Sequence, residues 1–339
     1  GSLLNQNAVR IRVVEGQLNQ SFLFYLLKSQ QFCSYIVSSA QGSANQASIT
    51  LDDIFSFKFL CWPLPTQKTI AHILSTLDDK IELNRKMNET LESMAQAIFK
   101  SWFVDFDPVH AKAGASSEDE LDKAAKDLGI SREVLDLFPS EFEESELGLI
   151  PKGWSIENLG RFVEILDSKR VPLSKQQRGG RRGDIPYYGA TSVMDYVDDF
   201  LFDEPLTLIG EDGSVVKNDG TPFMQYIWGK SWVNNHAHVL KGKGALSTEA
   251  IYVLLSRSNV SMFVTGAVQL KINQANLKRI PLINAGEELL YSYSKLIEPM
   301  FSHIRLLKNQ VKTLQKTRDT LLPKLLSGEL DVSNLDLGL

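Results

Sequence analysis

One segment of this chain occurs twice. Pro65–Leu91, moved forward by 223 residues, falls without a gap on Glu288–Leu314. The first copy places Ile70, Leu74, Leu77, Ile81, Asn84, Asn88, Leu91, Ala95, Ile98 and Trp102 at steps that alternate four and three. The second places Tyr293, Ile297, Met300, Ile304, Leu307, Val311, Leu314, Arg318, Leu321 and Leu325 at the same steps. Such spacing is a heptad seam, the mark of a long helix with one buried stripe. Its repetition within one chain implies a pseudo-symmetric molecule with two rods that set a distance. A plain helical hairpin or a dimeric coiled coil gives the same periodicity, so the seam alone names no function. Asn84 and Asn88 interrupt the first seam near its middle, and two readings stay open: a register lock through paired amides, or polar positions that face solvent or a partner.

The repeat extends upstream. Asn5-Gln6-Asn7-Ala8 resembles Asn234-Asn235-His236-Ala237, and Leu18…Leu26-Leu27 resembles Leu246…Leu254-Leu255. Residues 3–104 thus correspond to residues 232–327, each a globular tail followed by a long helix. Trp154–Ser231 has no counterpart before Asn5. The first globular unit is therefore expected to lack its front, and apolar surface left by that gap makes self-association an expectation.

Composition bounds the rest. A chain of 339 residues with 43% apolar content builds two or three real cores. Cys33 and Cys61 match no metal or redox spacing, and no secretory signal or long apolar run is present, so a reduced, cytoplasmic protein without a membrane span is expected. The net charge of −5 conceals an asymmetry. Residues 105–150 hold 13 acids and four bases, whereas residues 168–192 hold six bases and one acid. The local +5 segment sets the attraction for a polyanion, whatever the sign of the whole.

The chain divides on these cues into residues 1–62, the back of a globular unit, and a long helix over 63–104, stopped by Asp107-Pro108. An acidic connector follows over 105–153, with short helices at Glu118–Asp127 and Ser131–Leu137. A second globular unit occupies 154–284, the second long helix 285–330, and a tail 331–339. Expected strands are Ala8–Val14, Phe200–Leu201, Pro205–Ile209, Phe223–Ile227, Ala237–Leu240 and Ile280–Leu282, with helices over Gln20–Ser38 and Thr248–Arg257. The fold class is α+β.

Candidate contacts to a nucleic acid concentrate in the second unit. The Ser168–Arg182 segment, read as a loop, carries Lys169, Arg170, Lys175, Gln177, Arg178, Arg181 and Arg182, and ends in RGGRRG. Glycines let backbone approach phosphates, and arginines neutralise phosphate or grip guanine with two hydrogen bonds. Tyr187, Tyr188, Thr191 and Ser192 follow, able to touch sugar, phosphate or base edges. Lys230, Asn235 and His236 form a second group, and Gln269 with Lys271 a third. The bland alternative for each is a solvated surface loop. Trp232 and His238 read as packing residues. His236 and His238, two apart with no Cys or carboxylate beside them in sequence, make too weak a pattern for a metal site. Gly210-Glu211-Asp212-Gly213-Ser214 lacks the Gly-Lys-Ser/Thr ending of a phosphate loop and reads as a tight turn. Asp198, Asp199, Asp203, Glu204, Glu211 and Asp212 lack the lysine of a nuclease cluster and read as a solvated face. No catalytic constellation stands out, so no enzyme activity is expected of the chain.

The run PLPTQKTIAHILSTLDDKIELNRKMNETLESMAQAIFKSWFVDFDPVHAK at Pro63–Lys112 resembles the central conserved region of the specificity subunit of type I restriction–modification enzymes. SELGLIPKGW at Ser145–Trp154 is similar to that family's entry into its second target-recognition domain, and TLLPKLLSGEL at Thr320–Leu330 to its distal conserved end. The resemblance implies globular α/β target-recognition domains joined by two long antiparallel helices forming a coiled coil. It implies a non-catalytic subunit that reads a half-site of a bipartite target in double-stranded DNA. Its partners would be two methylation subunits docked on the helices, and restriction/motor subunits. It carries no cofactor itself, and S-adenosylmethionine, magnesium and ATP belong to those partner subunits. A rod of about 57 Å covers about 17 base-pair steps at ~3.4 Å each, room for a spacer between half-sites. The competing reading is a coiled-coil interaction scaffold without DNA specificity.

Overall fold

A computed structural model of the chain describes residues 9–40, 49–145, 148–266 and 269–335. In chain order the helices α1 (Gln20–Lys28), α2 (Gln30–Ser39) and α3 (Leu51–Phe55) precede the long helix α4 (Leu64–Phe103). The connector supplies α5 (Asp107–Gly114), α6 (Glu118–Asp127), α7 (Arg132–Asp136), β1 (Phe142–Ser145) and β2 (Gly148–Pro151). Next come β3 (Ser155–Asn158), β4 (Val163–Ile165), α8 (Lys175–Gly179), β5 (Arg182–Tyr188), β6 (Val193–Val197), β7 (Phe202–Asp203) and β8 (Leu206–Gly210). The chain continues through β9 (Met224–Ile227), β10 (Lys230–Val233), β11 (Ala237–Gly242), α9 (Thr248–Leu255), α10 (Gln274–Lys278) and β12 (Pro281–Asn284) to the second long helix α11 (Glu287–Ser327). Two compact units result, residues 1–88 with 306–339, and residues 89–305. None of the described helices is apolar enough to cross a membrane.

In the first unit α1 buries Phe22, Leu23, Tyr25 and Leu26 against Ile70, Ala71 and Leu74 of α4 and Leu325 and Leu326 of α11. The seam periodicity dictates that face, and every seam position of α4 is buried or half-buried. The two helices run antiparallel here. Trp62 donates to the Leu326 carbonyl at 3.4 Å, Arg318 to Asp78 at 2.7 Å, and Asn84 to Gln310 at 3.1 Å, so one chain number rises as the other falls. Asn84 thus pairs across the seam with Gln310, while the buried side-chain Oδ1 atoms of Asn84 and Asn88 have no hydrogen-bond partner among the described residues. Each such oxygen costs about 1–3 kcal/mol. The expected helix over Gln20–Ser38 is broken in two at Ser29, whose hydroxyl caps α2 by accepting from the Phe32 amide. Val9–Val14 forms no strand, because no described residue of this unit offers a strand to pair with, and Ala8 lies outside the described residues. The upstream repeat at Asn5–Ala8 also lies outside them.

The second unit is built on two four-stranded sheets, in the orders β4-β11-β8-β9 and β6-β5-β10-β7. All pairings are antiparallel except β10 with β5. Side chains alternate across the first sheet, as the pleat requires. Leu208 and Val239 face a core shared with Phe202 and Val233 of the second sheet, while Ile209 and Leu240 face α9 and the long helices. β8 is buried throughout. Residues Ala250, Ile251, Val253 and Leu254 of α9 join Ile297, Phe301 and Ile304 of α11 in the larger core. Trp102 and Phe103 of α4 pack around Tyr293, with ring centroids 5.8 and 5.1 Å away. β6 is an outer strand, and its pairing with β5 slips between Arg182 and Ile185 and again between Tyr187 and Tyr188. In the connector α6 and α7 form as expected, and Arg132 gathers Glu118, Asp122 and Asp136 at 2.7–3.0 Å, so part of the acidic excess is internally neutralised.

The duplication survives in the architecture. The Asn19 amide at the start of α1 donates to Gln67 Oε1 of α4 at 2.8 Å. The Ser247 amide at the start of α9 donates to Ser294 Oγ of α11 at 3.0 Å. Each unit ties the head of its short helix to its long helix by a side chain, although the residues differ.

Strand corrections follow the sheet. Phe200–Leu201 is not a strand; the two residues after it, β7, are, because Lys230 and Ser231 of β10 pair with Asp203 and Phe202. The other expected strands of this unit form within two residues of their expected ends.

Candidate nucleic-acid interface

The basic segment is not an open loop. Ser174 and Gln177 form a reciprocal cap that starts the short helix α8, and Arg182 and Gly183 already belong to β5. Gly183 serves strand pairing rather than phosphate approach, since a Cβ there would lie 2.4 Å from the Val197 carbonyl oxygen. Arg178 donates to Asp195 at 2.9 Å and to the Leu173 carbonyl at 2.7 Å, and lies over the Tyr187 ring. Arg181 binds Asp198 at 3.0 Å and Asp199 at 3.3 Å, above the Trp232 ring. Arg170 is 11% exposed, bound to Glu211 at 2.7 Å and to the Ala237 carbonyl. Three of the six bases are thus engaged inside the unit, and Tyr187, 1% exposed with its hydroxyl accepting from the Leu173 amide, is a core residue and no surface contact. Burial raises the pKa of the half-buried Tyr188, with nearby Tyr196 adding to the shift. Lys169, Lys175, Gln177, Arg182 and Lys230 are exposed, Lys230 above the Phe200 ring.

Four of the six carboxylates read as a solvated face are counter-charges to Lys or Arg. Asp198 and Asp199 hold Arg181, Glu204 holds Lys241 at 2.5 Å, and Glu211 holds Arg170 and Lys271. His236 and His238, which have no acid near them in sequence, find acids in space. His236 Nδ1 lies 2.6 Å from Asp212, and His238 Nδ1 lies 2.6 Å from Asp167. Asp167, Glu211 and His238 approach closely enough to resemble a metal-ligand set. Their donors are committed elsewhere. Arg170 and Lys271 take the carboxylates, and His238 Nε2 faces the Ile272 carbonyl at 2.8 Å. Asp167 also accepts from the Val239 amide at 2.9 Å and from Gln274 at 2.6 Å. Burial works to raise the Asp167 carboxyl, but the hydrogen bond and charge of His238, with these two donors, hold it below the ordinary carboxylate value.

The remaining candidates converge. β5 and β10, parallel neighbours, end together, and the Asn234 amide donates to the Tyr188 carbonyl at 3.1 Å. At the tip of the β5–β6 hairpin the Gly189 amide closes on the Ser192 carbonyl, and Gln225 donates to the Gly189 carbonyl. The Glu211 amide binds the His236 carbonyl, the Gly213 amide binds the Leu270 carbonyl, and Asp212 pairs with Lys271 as an isolated bridge. Gly210 is required at the end of β8, where a Cβ would meet the Ser214 carbonyl oxygen at 2.4 Å. Exposed Thr191, Ser192, Asn235, His236, Gln269 and Lys271 therefore share one rim, although their chain positions span about 80 residues. The carboxylates that anchor this rim, Asp212 and Glu211, read in sequence as a turn and a solvated face, because the rim residues they hold, His236 and Lys271, lie 24 and 60 positions further on. Sequence reasoning also passed over Met194 and Tyr196, exposed on β6 beside the hairpin tip.

Comparison with known proteins places the chain. The family model "Type I restriction modification DNA specificity domain" matches residues 1–93 and 151–283, once in each half of the duplication. The chain is 28% identical over 374 aligned residues to the type I restriction enzyme HindI specificity subunit of Haemophilus influenzae, covering 95% of this chain and 81% of that one. It is 26% identical to the MjaIX specificity subunit of Methanocaldococcus jannaschii, over 98% of this chain and 73% of the other. The crystal structure of a type I restriction–modification S subunit from M. genitalium shares the fold, with a TM-score of 0.56 at 17% identity, over 91% of this chain and 73% of that one. With two family domains covering most of its length, the chain belongs to the DNA specificity subunits of type I restriction–modification systems.

Proposed function

We propose that residues 154–284 read one half-site of a bipartite DNA target through the rim where the β5–β6 hairpin, the Asn234–His236 turn and Lys271 meet. The convergence of these three segments carries the reading. Each is pinned by backbone hydrogen bonds, and each presents exposed donors or acceptors. A two-stranded ribbon has the width that the major groove admits. Exposed Lys169, Lys175, Arg182 and Lys230 supply phosphate contacts, which position the protein without reading sequence. The chain does no chemistry. Methyl transfer and cleavage, with S-adenosylmethionine, magnesium and ATP, fall to partner subunits, and a cytoplasmic location suits that assembly.

Asn235→Ala and Thr191→Ala, assembled with methylation subunits, should each lose about 10- to 100-fold preference at one base pair, the span of one good base contact. Binding selection from a randomised half-site measures it. Unchanged preference in both variants, with binding intact, removes the rim from the reading. A scaffold without DNA specificity shows no preference to lose.

The long helices are the docking elements for the methylation subunits. Leu83 and Leu306 occupy equivalent positions of the duplication, 223 residues apart. Both lie off the seam, 50% and 54% exposed. A repeated exposed leucine fits two copies of one partner. Leu83→Glu or Leu306→Glu alone should lower the partner stoichiometry from two to one, and the double variant should abolish binding, as read by native mass spectrometry. Full stoichiometry in the double variant refutes these docking positions.

A further inference from the structure

The rim contains an imidazole tied down at its backbone and at one ring nitrogen. His236 is fixed through its backbone on both sides, its amide donating to Asn234 Oδ1 at 2.8 Å and its carbonyl accepting from the Glu211 amide at 2.8 Å. Its ring Nδ1 lies 2.6 Å from Asp212 Oδ1, and the side chain remains 46% exposed. Asp212 is itself anchored by its bridge to Lys271. The neighbouring charges have other partners: Glu211 is taken by Arg170 and Lys271, and Asp167 by His238. The Asp212 carboxylate is therefore the acid that faces His236.

An ionised carboxylate only accepts hydrogen bonds, so the proton of a neutral His236 ring sits on Nδ1. Nε2 then keeps its lone pair, and no described residue is bonded to it. A half-exposed acceptor on a DNA-reading rim has a restricted set of complements. In the major groove the donors are the exocyclic amines of adenine and cytosine; guanine presents only acceptors there, thymine an acceptor and a methyl group. Phosphate oxygens offer no donor and are not a partner for this form of the ring.

We propose that His236 reads the exocyclic amine of an adenine or cytosine in the half-site, and that Asp212 is the positioning residue that makes Nε2 an acceptor. This rests on the rim being the DNA-contacting surface. His236→Ala, assembled with methylation subunits, should lose about tenfold or more of the preference at one base pair and leave the others unchanged. Replacing that adenine by purine, or that cytosine by 2-pyrimidinone, removes the amine and should reproduce the loss. The two losses should not add.

Asp212→Asn is the sharper variant. Its amide can donate to Nδ1 and drive the ring proton to Nε2, which becomes a donor. Preference at the same base pair should then turn toward guanine or thymine. Asp212→Ala, which frees the tautomer, should weaken the preference without reversing it. Uniform weakening over all sequences for His236→Ala identifies a phosphate contact and overturns the proposal. So does an unchanged preference in both His236→Ala and Asp212→Asn while Asn235→Ala and Thr191→Ala still alter theirs. If none of the four variants changes preference, it is the rim reading that fails.

Discussion

Asp167→Ala should destabilise the second unit by about 3–5 kcal/mol, the cost of removing one partner from a buried charge network. The side chain is 3% exposed and serves four donors: His238 Nδ1, the Val239 amide, Gln274 and Arg170. Alanine removes the acceptor of His238 Nδ1, Gln274 and the Val239 amide, while Arg170 keeps Glu211 and the Ala237 carbonyl, and the backbone amide belongs to β11, a central strand between β4 and β8. Asp167→Asn retains a carbonyl acceptor and should cost less. Denaturant unfolding together with hydrogen exchange at the Val239 amide measures both effects. A loss below ~1 kcal/mol, the worth of an ordinary hydrogen bond, would mean that water or a relaxed backbone takes over the role. The same site makes a pH prediction. In an unfolded chain the carboxyl titrates near ~3.9, and in the fold it lies lower. Its contribution is complete above the unfolded value and disappears as the pH falls through the folded one. Asp167→Ala should therefore flatten the acid limb of the stability curve.

The second large effect is expected where α11 meets the sheets of the second unit. Glu249 on α9 accepts from Arg305 at 2.8 Å and from the Tyr226 hydroxyl at 2.6 Å, and Arg305 also reaches the Tyr226 hydroxyl. Burial and the adjoining Glu249 carboxylate push the Tyr226 hydroxyl well above its ordinary pKa, so it stays a neutral donor. Glu249→Ala strands a guanidinium that is 24% exposed and should cost about 3 kcal/mol, the low end for a broken buried pair. Glu249→Leu combined with Arg305→Leu removes both charges and should recover most of that loss. A double-mutant cycle with a coupling above ~0.5 kcal/mol supports this account, and additive losses refute it. Because the triad fastens the long helix to the sheets that present the rim, Glu249→Ala should also blur sequence preference at temperatures where the unit remains folded.

Local periodicity explains what could be read directly from the residues. The seams from Ile70 to Trp102 and from Tyr293 to Leu325 repeat every turn, and burial of one face follows from spacing alone. The α9 helix and strands β8, β9 and β11 were legible from their apolar runs. Strand β5 was not, because its start at Arg182 and Gly183 read as the end of a basic loop while its pairing depends on β6 and β10. The arginines were legible as charges, but the ion pairs of Arg178 and Arg181 were not. Their counter-ions Asp195, Asp198 and Asp199 lie 17 or 18 residues away and meet them only after the hairpin has folded. Tyr187 was misread for the same reason: which face a strand residue takes depends on register. The rim is likewise a product of topology, for no linear motif joins Thr191 to Lys271.

The outer position of β6 has a consequence for handling the protein. A flat exposed edge with Val193, Met194 and Tyr196 on it would invite another chain to add a strand. Two slips of pairing against β5 bend that edge, and Asp195 and Asp198 place carboxylates along it. This edge is thereby a poor template for strand addition, through the same aspartates that hold Arg178 and Arg181.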